Sequence, residues 1–192
     1  LFLALELLKK EGDSKYKEFF KDIDFDKKVV LITAHRRESF GEPFENICNV
    51  IKELSVKYPD VEFVYPVHLN PNVREVVYRI LSGISNVHLI EPLEYPYMVW
   101  IMNKSYMVLT DSGGVQEEAP SLGKPVLVLR DVTERQEGID AGTAKLVGTD
   151  KDLIIKEASN LLENQKEYKK MAHAVNPYGD GNASKRIVQV LK

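Results

Sequence analysis

The chain has 192 residues, enough for one substantial hydrophobic core and one domain with an appendage. Its 26 Lys and Arg stand against 29 Asp and Glu, a formal charge of −3 without the basic excess of a general nucleic-acid binder. The single Cys48 excludes an intrachain disulfide or a cysteine-based zinc site and points to a reducing, cytoplasmic compartment, and no segment reaches the roughly 20 apolar residues of a membrane span.

The chain opens on Leu1-Phe2-Leu3-Ala4-Leu5-Glu6-Leu7-Leu8. No basic region precedes this run, Glu6 interrupts it, and Lys9-Lys10-Glu11-Gly12 follows in place of a small-residue cleavage site, so it does not read as a signal peptide. Lacking an initiator Met, it reads as the interior of a longer polypeptide, with residues 1–22 a helical lead-in from another domain. After a charged helix over 14–21, strand-like and helix-like runs alternate. Strands are expected over 28–33, 61–67, 87–90, 106–110, 125–129 and 144–147. Phe44, Ile47, Cys48, Ile51 and Leu54 fall at helical spacing, as do Val73, Val76, Val77, Ile80 and Leu81. Further helices are expected over 97–102, 115–122, 134–141 and 152–162, and a last one from Ala183. Val29-Val30-Leu31-Ile32 is a continuous apolar run, as in a strand covered on both faces. Repeated βα units of this kind predict an α/β, Rossmann-like parallel sheet with helices on both faces over 23–175. Residues 176–192 are expected to form a C-terminal loop and helix that packs toward the missing domain.

Ligands of such sheets sit at the carboxyl ends of the strands, where the strand order reverses. The unusual polar residues cluster at those ends: Ala34-His35-Arg36-Arg37-Glu38 after the first strand, Pro66-Val67-His68-Leu69-Asn70 after the second, Asp111-Ser112-Gly113-Gly114 after the fourth, and Arg130 to Arg135 after the fifth. Glycines between a strand end and a helix start let backbone N–H groups approach an anion, and the helix start adds roughly half a positive charge. Arginine forks suit a diphosphate. Each feature also has a plain reading. Gly113-Gly114 fits a simple βα turn; His35 fits a helix cap or a partner for Glu38; His68 fits a loop brace; Glu117 and Glu118 fit solvated helix charges; Arg135 fits a pair with Glu134 or Glu137. His88, inside a strand, and His173, on a charged helix, read as structural. Ser112 lacks a nucleophile elbow, no acid partner for His35 stands out, and no His-x-x-x-His or acidic cluster has metal-ligand spacing. The convergence at one sheet edge favours a nucleotide-diphosphate site.

Thr33-Ala34-His35-Arg36-Arg37-Glu38-Ser39-Phe40-Gly41, Tyr65-Pro66-Val67-His68-Leu69-Asn70-Pro71 and the run from Leu109 through Asp111-Ser112-Gly113-Gly114-Val115-Gln116-Glu117-Glu118 to Leu127 closely resemble the non-hydrolysing UDP-N-acetylglucosamine 2-epimerases. So do Thr133-Glu134-Arg135, Ala141-Gly142-Thr143 and Asn176-Pro177-Tyr178-Gly179-Asp180-Gly181. The resemblance implies one half of a glycosyltransferase-B type two-domain fold, the half that binds UDP, in a homodimeric enzyme of cell-surface polysaccharide biosynthesis. It implies interconversion of UDP-N-acetylglucosamine and UDP-N-acetylmannosamine through elimination and re-addition of UDP, with no metal or redox cofactor. On the matched motifs, Ser112, Gly113 and Gly114 would hold the diphosphate, Glu118 the ribose, and Arg135 the nucleotide. His35 would stand at the diphosphate near the reacting sugar. Arg36 and His68 match positions of a second, regulatory UDP-N-acetylglucosamine. The acid/base carboxylates would lie in the other half. Two positions depart from the pattern. Met98 stands where an aromatic commonly packs near the uracil, leaving Tyr97 or Met98 for that contact, and Gln136 replaces a common Pro. A UDP-sugar glycosyltransferase and a non-catalytic UDP-sugar-binding module are the alternatives.

Overall fold

The computed structural model describes residues 1–191; Lys192, the end of the expected tail segment, lies outside the described residues. The continuous apolar runs become β1 (Lys28–Thr33), β2 (Val61–Pro66), β3 (Val87–Ile90), β4 (Met107–Thr110), β5 (Val126–Val128) and β6 (Ala144–Leu146). All pair in parallel in the order β3-β2-β1-β4-β5-β6. Several ladders close a residue inside their expected ends. Val67, Leu129 and Val147 still donate one bond each to a neighbouring strand, to Ile90, Thr110 and Val128 at 2.8, 2.9 and 3.0 Å.

The helices are α1 (Phe2–Glu11), α2 (Ser14–Phe19), α3 (Glu42–Lys57), α4 (Pro71–Leu81), α5 (Tyr95–Lys104), α6 (Gly113–Ser121), α7 (Gln136–Asp140), α8 (Lys151–Glu163), α9 (Gln165–Ala172) and α10 (Ala183–Leu191). The expected α3 stripe is fully buried, and Val73, Val77 and Leu81 of α4 join it. α5 starts two residues earlier than its spacing suggests, because Pro96 in the first turn has no N–H to lose. α7 starts later, because Thr133 Oγ1 holds the Arg135 amide at 3.1 Å and keeps Glu134 and Arg135 outside the helix. α9 is a separate helix, opened by Asn164, whose Oδ1 accepts from the Lys166 and Glu167 amides.

The sheet has a core on each face. One gathers α3, α4 and α8 over Val30, Ile32, Phe63 and Leu109. The other gathers α1, α2, α5 and α6 over Val29, Leu31, Val108 and Val126. Residues 1–22 complete the second: Tyr16 and Phe20 are buried and stack on Trp100, with Phe20 and Trp100 ring centroids 5.3 Å apart. Buried free Cys48 lies in the first core, its thiol pushed up to about 12 by burial. No helix among the described residues is long and apolar enough to cross a membrane. The strand order reverses between β1 and β4, which sets the loops after these two strands side by side at the carboxyl edge.

Candidate functional site

Asp111 fastens the two central loops together. Its backbone N–H donates to Thr33 O at 3.0 Å, continuing the β1–β4 ladder one step past Thr110. Its Oδ2 accepts the His35 and Arg36 amides at 2.6 and 2.7 Å. Below it, the Thr33 and Thr110 hydroxyls share a 2.6 Å hydrogen bond, and Thr110 Oγ1 accepts the Ser112 amide at 2.9 Å. The buried Tyr65 hydroxyl donates to Ala34 O and braces the same bend. Asp111 is fully buried, and its Oδ1 is the one buried side-chain polar atom without a hydrogen-bond partner among the described residues. That oxygen lies 3.7 Å from His35 Nδ1. Burial raises the Asp111 carboxyl above its ordinary range, opposed by the two amides and by His35 and Arg36. The sequence offered no acid partner for His35; the fold supplies one from 76 residues away.

The anion cradle is the start of α6. Ser112 caps it without a side-chain bond, and the amides of Gly113, Gly114 and Val115 have no intrahelical acceptor. Neither Gly113 nor Gly114 has a positive φ, and both lie in the first turn of α6. Close approach of Arg135 explains Gly113. A Cβ on Gly113 would stand 3.3 Å from Arg135 Cζ, and a Cβ on Gly114 would point into open space. Arg135 is held over α6 by Glu117, Nε to Oε1 at 2.8 Å; of its two expected structural partners, Glu134 or Glu137, Glu134 lies at 4.0 Å. Glu118, one turn into the helix, accepts the Tyr95 hydroxyl at 2.7 Å on an exposed surface.

A cavity of about 170 Å³ adjoins the cradle, lined by His35, His68, Leu93, Met98, Ser112 and Val115 among others. The rings of His35 and His68 stack at 4.9 Å and 6°, and His68 Nδ1 also accepts the Asn70 amide at 3.1 Å. Arg36 is anchored beside them through its backbone. Of the two residues left for the base contact, Met98 lines the cavity. Tyr97, a helical step away, packs against Tyr16 and Phe19 at 4.9 and 4.8 Å. His88 is structural, its Nε2 2.6 Å from Glu62 Oε2. His173 follows α9 as its cap. Arg130 emerges as a further organiser. Its buried guanidinium bonds Glu38 at 2.8 Å and Glu134 at 2.8 and 3.1 Å, tying the loop after β1 to the loop after β5. The Arg130-x-x-x-Glu134 spacing carried part of that signal. Among the described residues no three His, Cys, Asp or Glu side chains gather into a metal-holding group.

A parallel sheet that sets an uncapped helix start, bare glycine backbone and a histidine at its strand-order reversal defines a Rossmann-like domain of the glycosyltransferase-B type. The isolated C-terminal domain of a group 1 glycosyl transferase from Francisella tularensis shares this fold, with a TM-score of 0.63 over 88% of this chain and 90% of that one; at 16% identity the likeness concerns the fold alone. Residues 3–192 match the family model for UDP-N-acetylglucosamine 2-epimerase, and the chain belongs to that family. The UDP-N-acetylglucosamine 2-epimerase of Escherichia coli K12 is 58% identical over 170 residues, covering 88% of this chain and 45% of that protein. The crystal structure of UDP-GlcNAc 2-epimerase from Neisseria meningitidis bound to UDP-GlcNAc superposes with a TM-score of 0.95 at 54% identity, covering 99% of this chain and 52% of that one. The chain thus spans about half the length of the relatives it matches.

Proposed function

We propose that this chain is the UDP-binding half of a non-hydrolysing UDP-N-acetylglucosamine 2-epimerase, an isomerase that interconverts the gluco and manno epimers. The observation that carries the reading is the bare Gly113–Gly114 backbone at the start of α6, with Arg135 against Gly113 and with His35 and Ser112 on the adjoining cavity. The amides and Ser112 hydroxyl hold the diphosphate, Arg135 adds a fixed positive charge, and a ribose hydroxyl replaces Tyr95 on Glu118. Met98 packs near the base. Arg36 and His68 serve a second, regulatory UDP-N-acetylglucosamine. In the reaction the C2 proton passes to a base while the C1–O bond to UDP breaks, giving a 2-acetamidoglucal. UDP then re-adds to C1 as a proton returns to C2 from the other face.

Expulsion of UDP needs its developing charge met by preorganised donors, and proton abstraction needs a positioned base. This half supplies the first. No carboxylate lines the cavity, and Asp111 is sealed behind His35. The base therefore belongs to the complementary half of a cytoplasmic, homodimeric enzyme that serves cell-surface polysaccharide synthesis. Calorimetry of the 192-residue chain is expected to show UDP binding, and an epimerase assay of the same sample no turnover. Turnover by the chain alone would overturn this division of labour. Absence of UDP binding would overturn the site. With the complementary half present, UDP-N-acetylglucosamine in deuterated water without an acceptor is expected to yield the manno epimer carrying deuterium at C2, an outcome that a glycosyltransferase or a binding module would not produce.

A further inference from the structure

We infer that Asp111 is a positioning residue for His35: when a diphosphate engages Nε2 of the ring, the free Oδ1 of Asp111 receives Nδ1–H, and one solvent proton is taken up with the ligand. The inference rests on the UDP-binding reading above and deepens it. Three observations support it. Oδ2 of Asp111 is occupied by two backbone amides, so the carboxylate is fixed and cannot turn away. Oδ1 is buried and unpartnered, a condition costly enough that native structures seldom leave it without a purpose. Nδ1 of His35 stands 3.7 Å from that oxygen, on a side chain 38% exposed. A movement of roughly 1 Å completes a charge-assisted hydrogen bond.

The tautomer logic then requires a proton. A neutral ring that gives Nδ1–H to Asp111 presents a lone pair at Nε2, which repels a phosphate oxygen. Only the imidazolium donates on both sides. The groups facing the ring are Asp111 from the loop after β4, His68 from the loop after β2, and Arg36 from its own loop. In the free chain the balance keeps His35 below its ordinary range, through burial first, with His68 and Arg36 adding to it and Asp111 opposing. Near neutral pH the free ring is therefore neutral. An arriving diphosphate reverses that balance, one proton moves from solvent to the ring, and the positive charge sits where the UDP oxygens carry their negative charge during expulsion.

The experiment is calorimetry of UDP binding at about pH 8 in two buffers of different ionisation enthalpy, with the intact chain and with Asp111→Asn. The variant keeps one oxygen for both amides and loses the charge. The intact chain is expected to take up close to one proton per UDP and the variant almost none. UDP affinity in the variant falls about tenfold at that pH, the equivalent of one unit of histidine pKa, and the deficit shrinks as pH falls and the free rings gain their protons. A merely structural role would give a loss that does not vary with pH. The ¹⁵N chemical shifts of the His35 ring in the unmodified chain need no variant: both nitrogens should become protonated on UDP addition, which places the proton on the ring and not on the phosphate. Binding of UDP without proton uptake, or equal uptake by Asp111→Asn, would overturn the inference while leaving the UDP site standing. Failure to bind UDP at all would overturn the site and this role together.

Discussion

Asp111 shows how a residue can cost stability where it serves a site. Its folded-state carboxyl lies above the ordinary value, chiefly through burial. The folded state then holds the proton more tightly than the unfolded state. The stabilisation this gives is present in full below the unfolded pKa, near 3.9, and is lost as pH rises through the folded value. Asp111→Asn is therefore expected to melt with or above the unmodified chain at about pH 8, and to lose that advantage by about pH 3, where both carry a neutral group. Asp111→Ala behaves differently, because the His35 and Arg36 amides lose their acceptor; it should be about 2 kcal/mol less stable than Asp111→Asn at either pH. Thermal melts of the three proteins across that range check both statements. A variant that folds better while gripping UDP less would mark Asp111 as kept for the ligand. None of this was visible in the sequence. The Asp111–His35 contact joins residues 76 apart and exists only because β1 and β4 are neighbours in the sheet.

At the scale of the elements, α6 carries the site and Gly114 separates its two demands. Gly114 has no positive φ, and a Cβ there meets nothing within 4 Å, so alanine fits the folded helix without strain. Gly114→Ala should raise stability by up to about 0.5 kcal/mol, chiefly by restricting the unfolded chain. If the diphosphate sits on the Gly113–Val115 amides as proposed, the same methyl stands in its path, so UDP binding should weaken by about tenfold or more, the equivalent of one lost amide bond to a charged group. Chemical denaturation and calorimetry on one preparation separate the two effects, and unchanged UDP affinity would move the cradle elsewhere. Much of this element level was legible. Apolar runs such as Val29–Ile32 located the strands, and the positions of the Asp-Ser-Gly-Gly and His-Arg-Arg-Glu stretches put them at one edge. What periodicity missed were contacts decided by orientation within a turn. Adjacent Tyr97 and Met98 differ by about 100° around α5, and only packing against Tyr16 and Phe19 assigns one to the core and the other to the cavity.

At the scale of the whole molecule, the question is where this half divides. The sequence suggests a lead-in over residues 1–22 and a sheet domain from 23 onward, yet the second core is incomplete without the lead-in. Leu8, Tyr16 and Phe20 are each at most 6% exposed, and Asp13 accepts the Trp100 indole N–H at 3.0 Å. Burying three such side chains contributes on the order of 5 kcal/mol, comparable to the net stability of a whole domain. Trp100 is the only tryptophan and is 3% exposed, so its fluorescence reports directly on this contact. A chain starting at Ile23 is expected to show a red-shifted Trp100 emission and to lose its cooperative melting transition, or to melt at a far lower denaturant concentration. Emission and stability unchanged from the full chain would mean that the lead-in belongs to the complementary half. Because the sheet face under α5 and α6 is built on this cluster, the same truncation should also weaken UDP binding. Residues that do not line the cavity would then hold the site in place through the core.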